Sequence, residues 1–546
     1  MKAILQSKYT VPVFLFFLVL INILQGYSTE LLADEAYYWA YSKNLDWGYF
    51  DHPPMIALWI TISKLFFSSG ELSVRFFSAI SLSFSFYFVW LLIQHHKKRE
   101  FTWLFLLLII TTLLFNVYGF ITVPDTPLLF FFSLFLLGYK KYITKNNFSS
   151  YAILAIAMAG MLYSKYHAVL IIFFVLLSNL KVLKDWRIWV TTLATIILFS
   201  PHLYWQYIND FASIKYHLFE RNTKSYRIDY TTNHILNLVA IIGLTFPIVY
   251  LAFFKRLKIK DQFEKALRYL VLGFAIFFFV SSFKSRVQAQ WVVPISIPLV
   301  IIPFYYLIDN PKKIKAFKIL AFITIFVTIT LRIIIANDGI IPKQFEMHGN
   351  KKWVQKLDNA LKGSTPLFLN SYQNTSIYWF YSGKKPFQIN SWRSRKNQYD
   401  LYEYNQNFNL DRFSLITFDR SGNATDSILK KNKSLLYIEH NTNGYIKRAK
   451  AEFTLESPVI NKERESVIKV SYDKELISEL KGLELHIIFK FEREREVTQA
   501  KLIDNTIVFT TPKLEWSPSH IQIAGTTNSK IIPLRFSNMT KCSYQE

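Results

Sequence analysis

Apolar runs recur along the first 336 positions, each long enough to approach the hydrocarbon thickness of a bilayer. They lie near 9–25, 72–93, 101–118, 126–140, 150–164, 167–183, 187–205, 234–254, 266–283, 291–308 and 316–336. This predicts about eleven transmembrane helices. After position 337 the pattern changes. Short apolar runs such as TPLFLN, KPFQIN, FSLITFD and SLLYIEH alternate with helix-like pieces to about position 443. Beyond that, AEFTLES, SVIKVSY, LELHIIFKFE, NTIVFTT and HIQIAG alternate with period two, the signature of half-buried antiparallel strands. The expected fold is a mainly α polytopic membrane protein with a soluble α/β domain and a β-sandwich-like tail. The expected boundaries are 1–336 for the transmembrane domain, 337–443 for the α/β domain and 444–546 for the β-rich domain.

The polar residues between the runs are asymmetric. Alternate connections carry HHKKRE (95–100), KKYITK (140–145), KVLKDWR (181–187), KRLKIK (255–260) and PKKIKAFK (311–318). Basic connections mark the cytoplasmic side, and the N-terminus with Lys2 and Lys8 falls with them. The opposite side holds LLADEAYYWAYSKNLDWGYFDHPP within a loop spanning 26–70, the VPDTP turn, SKYH, FKSRVQAQ and everything after about 337. An odd number of spans puts the C-terminal domains outside the cytoplasm. The first apolar run lacks a small-residue cleavage site and reads as a retained span. In the loop 26–70, Tyr37, Tyr38, Trp39, Tyr41, Trp47, Tyr49 and Phe50 suit an aromatic belt at the water–lipid interface.

Composition agrees with a membrane protein. The 546 residues are 51% hydrophobic and 17% aromatic, with 50 Phe and 18% charged residues. A net charge of +25 would otherwise point to nucleic acid, but the basic connections account for much of it, so no nucleic-acid partner is expected. Cys542 is the one cysteine, which excludes intramolecular disulfides and cysteine clusters for zinc or iron–sulfur. No P-loop, Rossmann glycine signature, HExxH or GxSxG motif is present, so transport driven by nucleotide hydrolysis is not expected.

Candidate chemistry gathers on the non-cytoplasmic side. Acids are costly in hydrocarbon and sit at interfaces or in sites. Asp34 and Glu35 follow the first span, either as a solvated helix start or with Asp34 as a general base. Asp125 in TVPDTPLLFFF is either a helix cap or a second carboxylate facing the same pocket. Asp51 and His52, held by Pro53 and Pro54, suit phosphate or metal binding. Lys165 either snorkels to the interface or serves a lipid-linked phosphate. Arg221, Lys284 and Arg286 run against the positive-inside bias, as cations for an anionic ligand would.

DEAYYWAYSKNLDWGYFDHPP, VPDTPLLFF, SKYHAVL and FKSRVQAQWVVP, in that order, resemble bacterial relatives of the dolichyl-phosphate-mannose protein mannosyltransferases and the lipid A aminoarabinose transferases. The likeness covers about the first 310 residues and resumes at 371–402 with SYQNTSIYWFYSGKKP and SRKNQYDLY. These families are C-type membrane glycosyltransferases that use polyprenyl-phosphate sugars. The resemblance implies a catalytic acid at Asp34, with Glu35 beside it and Asp125 as partner in one cavity. It implies a first outer loop of short amphipathic helices lying along the membrane surface. Asp51, Tyr166, Trp291, Tyr372 and Gln373 stand in the matching motifs as candidate substrate contacts. Aminoarabinose transferases carry Glu-Lys where Asp51-His52 stands here, so His52 or Lys165 takes the donor phosphate, with Arg221 and Arg286 as further phosphate ligands. Their metal-site histidine corresponds to His217, which leaves a divalent metal as an open option and no other cofactor identified.

The resulting expectation is a glycosyltransferase of the bacterial inner membrane with an outward-facing site. Its donor is a sugar on undecaprenyl or a similar polyprenyl phosphate. Its acceptor is a lipid, glycan or protein of the envelope, and the anomeric carbon inverts. The alternatives are a transporter or flippase of an anionic polyprenyl lipid, and a membrane-anchored protein that binds glycan.

Overall fold

The computed structural model of the protein describes residues 6–220, 226–256, 259–402, 412–418, 424–430, 434–441, 453–472, 474, 483–491, 494–526, 534–537 and 539–545. The chain forms two compact units, Met1–His348 and Gly349–Glu546.

In the first unit the helices are α1 (Thr10–Ser28), α2 (Ala33–Tyr41), α3 (Met55–Lys64), α4 (Leu72–Leu92), α5 (Thr102–Thr111), α6 (Leu113–Tyr118), α7 (Asp125–Lys145), α8 (Phe148–Ser164) and α9 (Ala168–Ser178). They continue with α10 (Trp186–Ile208), α11 (Ala212–Lys215), α12 (Ile228–Ile242), α13 (Phe246–Lys255), α14 (Gln262–Ser281), α15 (Pro298–Asp309) and α16 (Pro311–Ala336). Five helical stretches are long and apolar enough to cross a membrane: α1, α4, α10, the α12–α13 pair and α16. A sixth forms if the 3₁₀ segment Ala289–Ser296 and α15, bent by 42°, count as one broken span. The expected eleven spans are therefore not reached among the described residues, for physical reasons that can be named. The extended backbone of Thr112 divides the 101–118 run into α5 and α6. Helices of ten or eleven residues, such as α5 and α9, reach only about 15 Å, half a bilayer core. Lys140 and Lys141 charge the last turns of α7, and Glu264, Lys265 and Arg268 charge the first turns of α14. The unit is a multi-pass membrane bundle in which shorter apolar helices fill in between long ones.

Its core is built where α7 packs on α4 and α8. Phe86, Val89, Phe132, Leu136 and Ala157 are buried there. Gly160 of α8 lets the two helices close, since a Cβ at that position would lie 2.3 Å from the Phe131 ring. The end of the bundle away from α2 is closed by charge. Arg256 meets Glu264 at 2.9 Å and Asp309 at 3.1 Å, and the Lys140 ammonium donates to the Leu92 carbonyl. The basic connections read as topology signals thus also carry buried pairs.

The second unit begins with α17 (Asn350–Ala360) and α18 (Tyr372–Ser382) around a five-stranded sheet. The strands are β1 (Thr365–Leu369), β2 (Phe387–Ile389), β3 (Phe413–Thr417), β4 (Asp426–Leu429) and β5 (Leu435–Asn441), in the order β2-β1-β3-β5-β4. β1 runs parallel to both β2 and β3, while β5 is antiparallel to β3 and β4. The period-two tail follows as β6 (Thr454–Leu455), β7 (Val459–Asn461), β8 (Glu465–Ser471), β9 (Glu484–Phe491), β10 (Glu494–Ile503), β11 (Thr506–Thr510), β12 (His520–Thr526), β13 (Leu534–Arg535), β14 (Thr540–Lys541) and β15 (Ser543–Gln545). An eight-stranded antiparallel sheet runs β13-β12-β9-β10-β11-β8-β6, with β14 also on β12, and β15 pairs β7 separately. Strict alternation of exposed and buried residues along β8 sends Ile468 and Val470 into one core with Ile487, Phe489, Phe509, Ile521 and Ile523. The tail is β-rich, as its periodicity requires.

Candidate active site

The site is organised by α2, a nine-residue helix that few intrahelical bonds could hold alone. Its first turn is held from outside. Glu35 accepts from the Leu32 amide at 3.1 Å and the Thr122 amide at 2.8 Å. Its two oxygens take the Arg75 guanidinium at 2.8 and 2.5 Å. Arg75 also donates to the Gly26, Thr29 and Glu30 carbonyls and to the Thr29 hydroxyl. Glu346 accepts from the Ala33 amide at 2.8 Å. Glu35 is fully buried and Arg75 is 1% exposed. Both carboxylate oxygens of Glu35 are therefore occupied by the scaffold. The Thr122 contact also docks the start of α2 beside the turn that leads into Asp125. Arg75 was missed in the sequence, although a lone Arg in the apolar LSVRFFSAISLSF is a signal that could have found it, since an intramembrane Arg requires a partner. His202, Gln206 and Asp46 carried no comparable signal.

The segment from Asp46 to Pro54 folds back on α2. Tyr37 donates to Asp51 Oδ2 at 2.8 Å, and Tyr41 lies 3.5 Å from the same atom. The His52 ring packs edge-on to Tyr38 at 5.6 Å. Residues three, four and seven apart share a helix face, so Asp34 stands on the stripe of Tyr37, Tyr38 and Tyr41, against which Asp51 and His52 lie. Asp34 is half-buried in the first helical turn. The expected aromatic belt is corrected here. Tyr37, Tyr38, Trp39, Tyr41, Tyr49 and Phe50 are all buried, and only Trp47, 56% exposed, could face an interface. These rings satisfy one another instead, Tyr41 stacking on Tyr49 at 4.1 Å. Burial raises the hydroxyl pKa of Tyr41 and Tyr49 above the ordinary tyrosine range, which keeps both as neutral donors.

α10 and the residues after it anchor this segment. Trp205 donates to Asp46 Oδ2 at 2.7 Å, His202 Nδ1 lies 2.7 Å from the Trp47 carbonyl, and Ser213 donates to the Tyr49 carbonyl at 2.9 Å. His217 Nε2 lies 2.9 Å from the Asp51 carbonyl oxygen. Gly48 allows the approach, because a Cβ there would meet the Trp205 ring at 2.4 Å. Gly48→Ala is expected to lower stability by about 1–3 kcal/mol, the usual cost of overpacking. A melting curve of the detergent-purified variant checks it, and an unchanged midpoint would show that the loop is not pinned at this point.

Lys165 and Asp125 come together from α7 and the α8–α9 turn. The ammonium lies 2.8 and 2.9 Å from the two carboxylate oxygens and 3.5 Å from the Gln290 carbonyl. The residues are 5% and 2% exposed. Lys165 is therefore not snorkelling. Asp125 is the first helical residue rather than the cap, the cap position being Pro124. Next to Lys165, the Tyr166 hydroxyl accepts from Gln206 at 2.8 Å and lies 3.2 Å from His202 Nε2. Its ring centroid is 5.5 Å from that of His217, which is 6.4 Å from that of His52. Asp51, His52, His217 and Tyr166 thus form one contiguous neighbourhood, and the Lys165–Asp125 pair stands one residue along the chain from Tyr166.

Arg286 is exposed, and Trp291 packs against His167 and Phe278. Tyr372 and Gln373 open α18 in the second unit, where Arg395 covers the Tyr372 ring at 4.9 Å. Arg221 lies outside the described residues. Among the described residues no group of three His, Cys, Asp or Glu side chains is placed to hold a metal. His217 Nε2 meets the Asp51 backbone carbonyl, and the Asp51 carboxylate accepts from Tyr37.

Residues 51–205 match the sequence profile of the dolichyl-phosphate-mannose-protein mannosyltransferase family. No curated protein matches the sequence. Among solved structures, ArnT from Cupriavidus metallidurans in the apo state aligns with a TM-score of 0.58 at 11% identity, covering 78% of this chain and 97% of that one. The same protein bound to undecaprenyl phosphate aligns with a TM-score of 0.55 at 11% identity, covering 79% and 98%. The archaeal oligosaccharyltransferase AglB from Archaeoglobus fulgidus gives a TM-score of 0.46 at 9% identity, covering 98% of each chain. The chain is therefore similar to the dolichyl-phosphate-mannose-protein mannosyltransferases over residues 51–205 and has the C-type membrane glycosyltransferase fold of ArnT.

Proposed function

We propose that the protein transfers a sugar from a polyprenyl-phosphate donor to an envelope acceptor, a lipid, glycan or protein, at the outer face of the bacterial inner membrane. The observation that carries this reading is the contiguous set of Asp51, His52, His217 and Tyr166, with Asp34 on the helix face that meets it and the buried Lys165–Asp125 pair next along the chain from Tyr166. The undecaprenyl phosphate bound by ArnT supplies the donor class. In the reaction an acceptor hydroxyl attacks the anomeric carbon. Its proton passes to Asp34, the new C–O bond forms with inversion, and the bond to the phosphate oxygen breaks. The electron pair leaves with polyprenyl phosphate. Lys165 and His52 stabilise the charge that grows on that phosphate, where fixed cations act most strongly, and Asp125 holds the Lys165 ammonium in place. Arg221 and Arg286 add charge to the donor phosphate. Asp51, Tyr166 and Trp291 contact substrate. Glu35 positions α2.

Purified protein given a labelled undecaprenyl-phosphate sugar and a lipid A acceptor tests the reading. Release of free undecaprenyl phosphate supports transfer. Movement of intact donor across a vesicle membrane with no release supports the flippase alternative instead. The side of the membrane is tested by a reporter enzyme fused after Glu546. Because the basic connections mark the cytoplasmic side, the reporter is expected to work only outside the cytoplasm, and cytoplasmic activity would reverse the assignment.

Lys165 gives a sharper check. Lys165→Gln is expected to lose donor affinity and turnover, by about tenfold or more for one charge-assisted phosphate contact. Lys165→Arg keeps the charge in another shape and retains part of both. Lys97→Ala, in a basic connection, leaves both unchanged. Near-normal turnover in Lys165→Gln would limit Lys165 to a structural partner of Asp125.

A further inference from the structure

The β-rich tail carries charge in a pattern that its composition does not require. Residues 451–546 hold 13 Lys and Arg against 14 Asp and Glu, so the segment is close to neutral. Yet strand register lines up its cations. Arg495 of β10 lies directly opposite Lys490 of β9, Lys490 opposite His520 of β12, and His520 opposite Lys541 of β14. Directly opposed residues project from the same face of a sheet. With strands about 4.8 Å apart, these four side chains form a row about 14 Å long. Like charges in opposed positions are destabilising, so the alignment costs the fold stability.

The row is accessible and bounded. Arg495 and Lys541 are exposed, and Lys490 and His520 half-buried. On one side the adjoining register on this face holds Val497, Ile488 and Gln522, none of them acidic, and Glu492, two residues beyond Lys490, lies outside the described residues. The same face is covered by Trp392, which packs on Ile488, Val497 and Ala524. Arg495 lies over the Trp392 ring at 5.5 Å, and exposed Arg393 lies over it at 5.0 Å. Arg393 therefore adds a fourth permanent cation, beside Arg495, Lys490 and Lys541. The side chains feel one another. Burial and then Lys490 and Lys541 hold the His520 imidazole below its ordinary pKa, and burial and then Arg393 do the same for Arg495.

We infer that Arg393, Arg495, Lys490, His520 and Lys541 form a docking surface for an anionic saccharide, a chain bearing carboxylate or phosphate groups at intervals. A linear row suits an extended polyanion. Ser519, whose hydroxyl lies 2.9 Å from His520 Nδ1, and Gln522 offer hydrogen bonds beside it. Trp392, the aromatic ring on this face, is 6% exposed and cannot enter a bilayer, which favours a saccharide over a lipid surface. The inference is independent of sugar transfer, since it concerns binding by the second unit.

The test uses the full chain, purified in detergent and immobilised. The ligands are polygalacturonate, a phosphorylated lipopolysaccharide core oligosaccharide with and without its phosphates, neutral dextran, and phosphatidylglycerol vesicles. Wild-type protein is expected to bind one or both anionic saccharides, with affinity falling steeply as salt rises, and to ignore dextran and the dephosphorylated core. The triple variant Lys490→Gln, Arg495→Gln, Lys541→Gln is expected to lose at least about tenfold in affinity, while Lys501→Gln with Lys513→Gln loses nothing. Equal binding by both variants would overturn the inference, as would salt-insensitive binding. Binding to vesicles and not to saccharides would overturn it in favour of a membrane surface. If the triple variant misfolds, Lys541→Gln and Arg393→Gln singly, both at exposed positions, must each weaken binding.

Discussion

Asp34→Asn protein is expected to insert and fold normally and to lose turnover by about 10²–10⁴-fold, the usual loss when a general base is removed. Its fold should survive because the hold on α2 does not run through the Asp34 carboxylate. Glu35, Arg75, Thr122 and Glu346 provide that hold. Loss of one charge from a helix's first turn costs only about 0.3–1 kcal/mol. The isosteric amide keeps shape and hydrogen bonding but cannot accept a proton. The measurement is the rate of undecaprenyl phosphate release at saturating donor, beside the melting midpoint and donor affinity. The expected signature is a fallen rate with both other quantities near wild type. Wild-type turnover by folded Asp34→Asn would remove Asp34 from the chemistry and leave it as a helix-start acid.

The long apolar stretches were legible because isolated charges such as Arg75 and Arg332 do not break their hydropathy. α1, α4, α10 and α16 each coincide with a long apolar run, and α10 and α16 fill it. The tail was legible for the same reason in another period, and β8 alternates exposed and buried at every residue. What hydropathy could not reveal was where an apolar run stops being one helix. Thr112 breaks 101–118 by its backbone angles alone. Nor could it separate a ring facing lipid from a ring facing protein. The seven aromatics between Tyr37 and Phe50 have a composition that suits either, and only the fold-back of Asp46–Pro54 on α2 buries six of them. In the site, Asp125 and Lys165 each stood out as a charge at the end of an apolar run. Their pairing, 40 residues apart, is a property of α7 and α8 packing through Gly160, which a linear pattern does not encode. The contribution of α10 through His202 and Gln206 was hidden because both lie inside an apolar span and resemble ordinary helix-interior polar residues.

Arg75→Ala is expected to cost about 3–5 kcal/mol, because it leaves the Glu35 carboxylate buried without its cation. The variant should therefore accumulate poorly and melt well below the wild type. The loss is of folding, since Arg75 joins α4 to the α1–α2 connection through five bonds besides its first to Glu35. Glu35→Gln tests the same pair from the other side. It leaves a buried guanidinium facing a neutral amide, so it should also lower the melting midpoint. The two neighbouring acids of α2 then separate by readout: Asp34→Asn loses rate and keeps stability, whereas Glu35→Gln loses stability and keeps rate per folded molecule. Replacing both partners, Glu35→Leu with Arg75→Met, removes both charges together. That double variant is expected to recover much of the stability lost by Arg75→Ala, as buried pairs exchanged for apolar residues commonly do, although the Thr29, Gly26 and Leu32 contacts are not restored. A Glu35→Gln protein that melts like the wild type but turns over about 10²-fold slower or worse would instead make Glu35 a participant in the chemistry, and the Arg75 pair a means of fixing its charge.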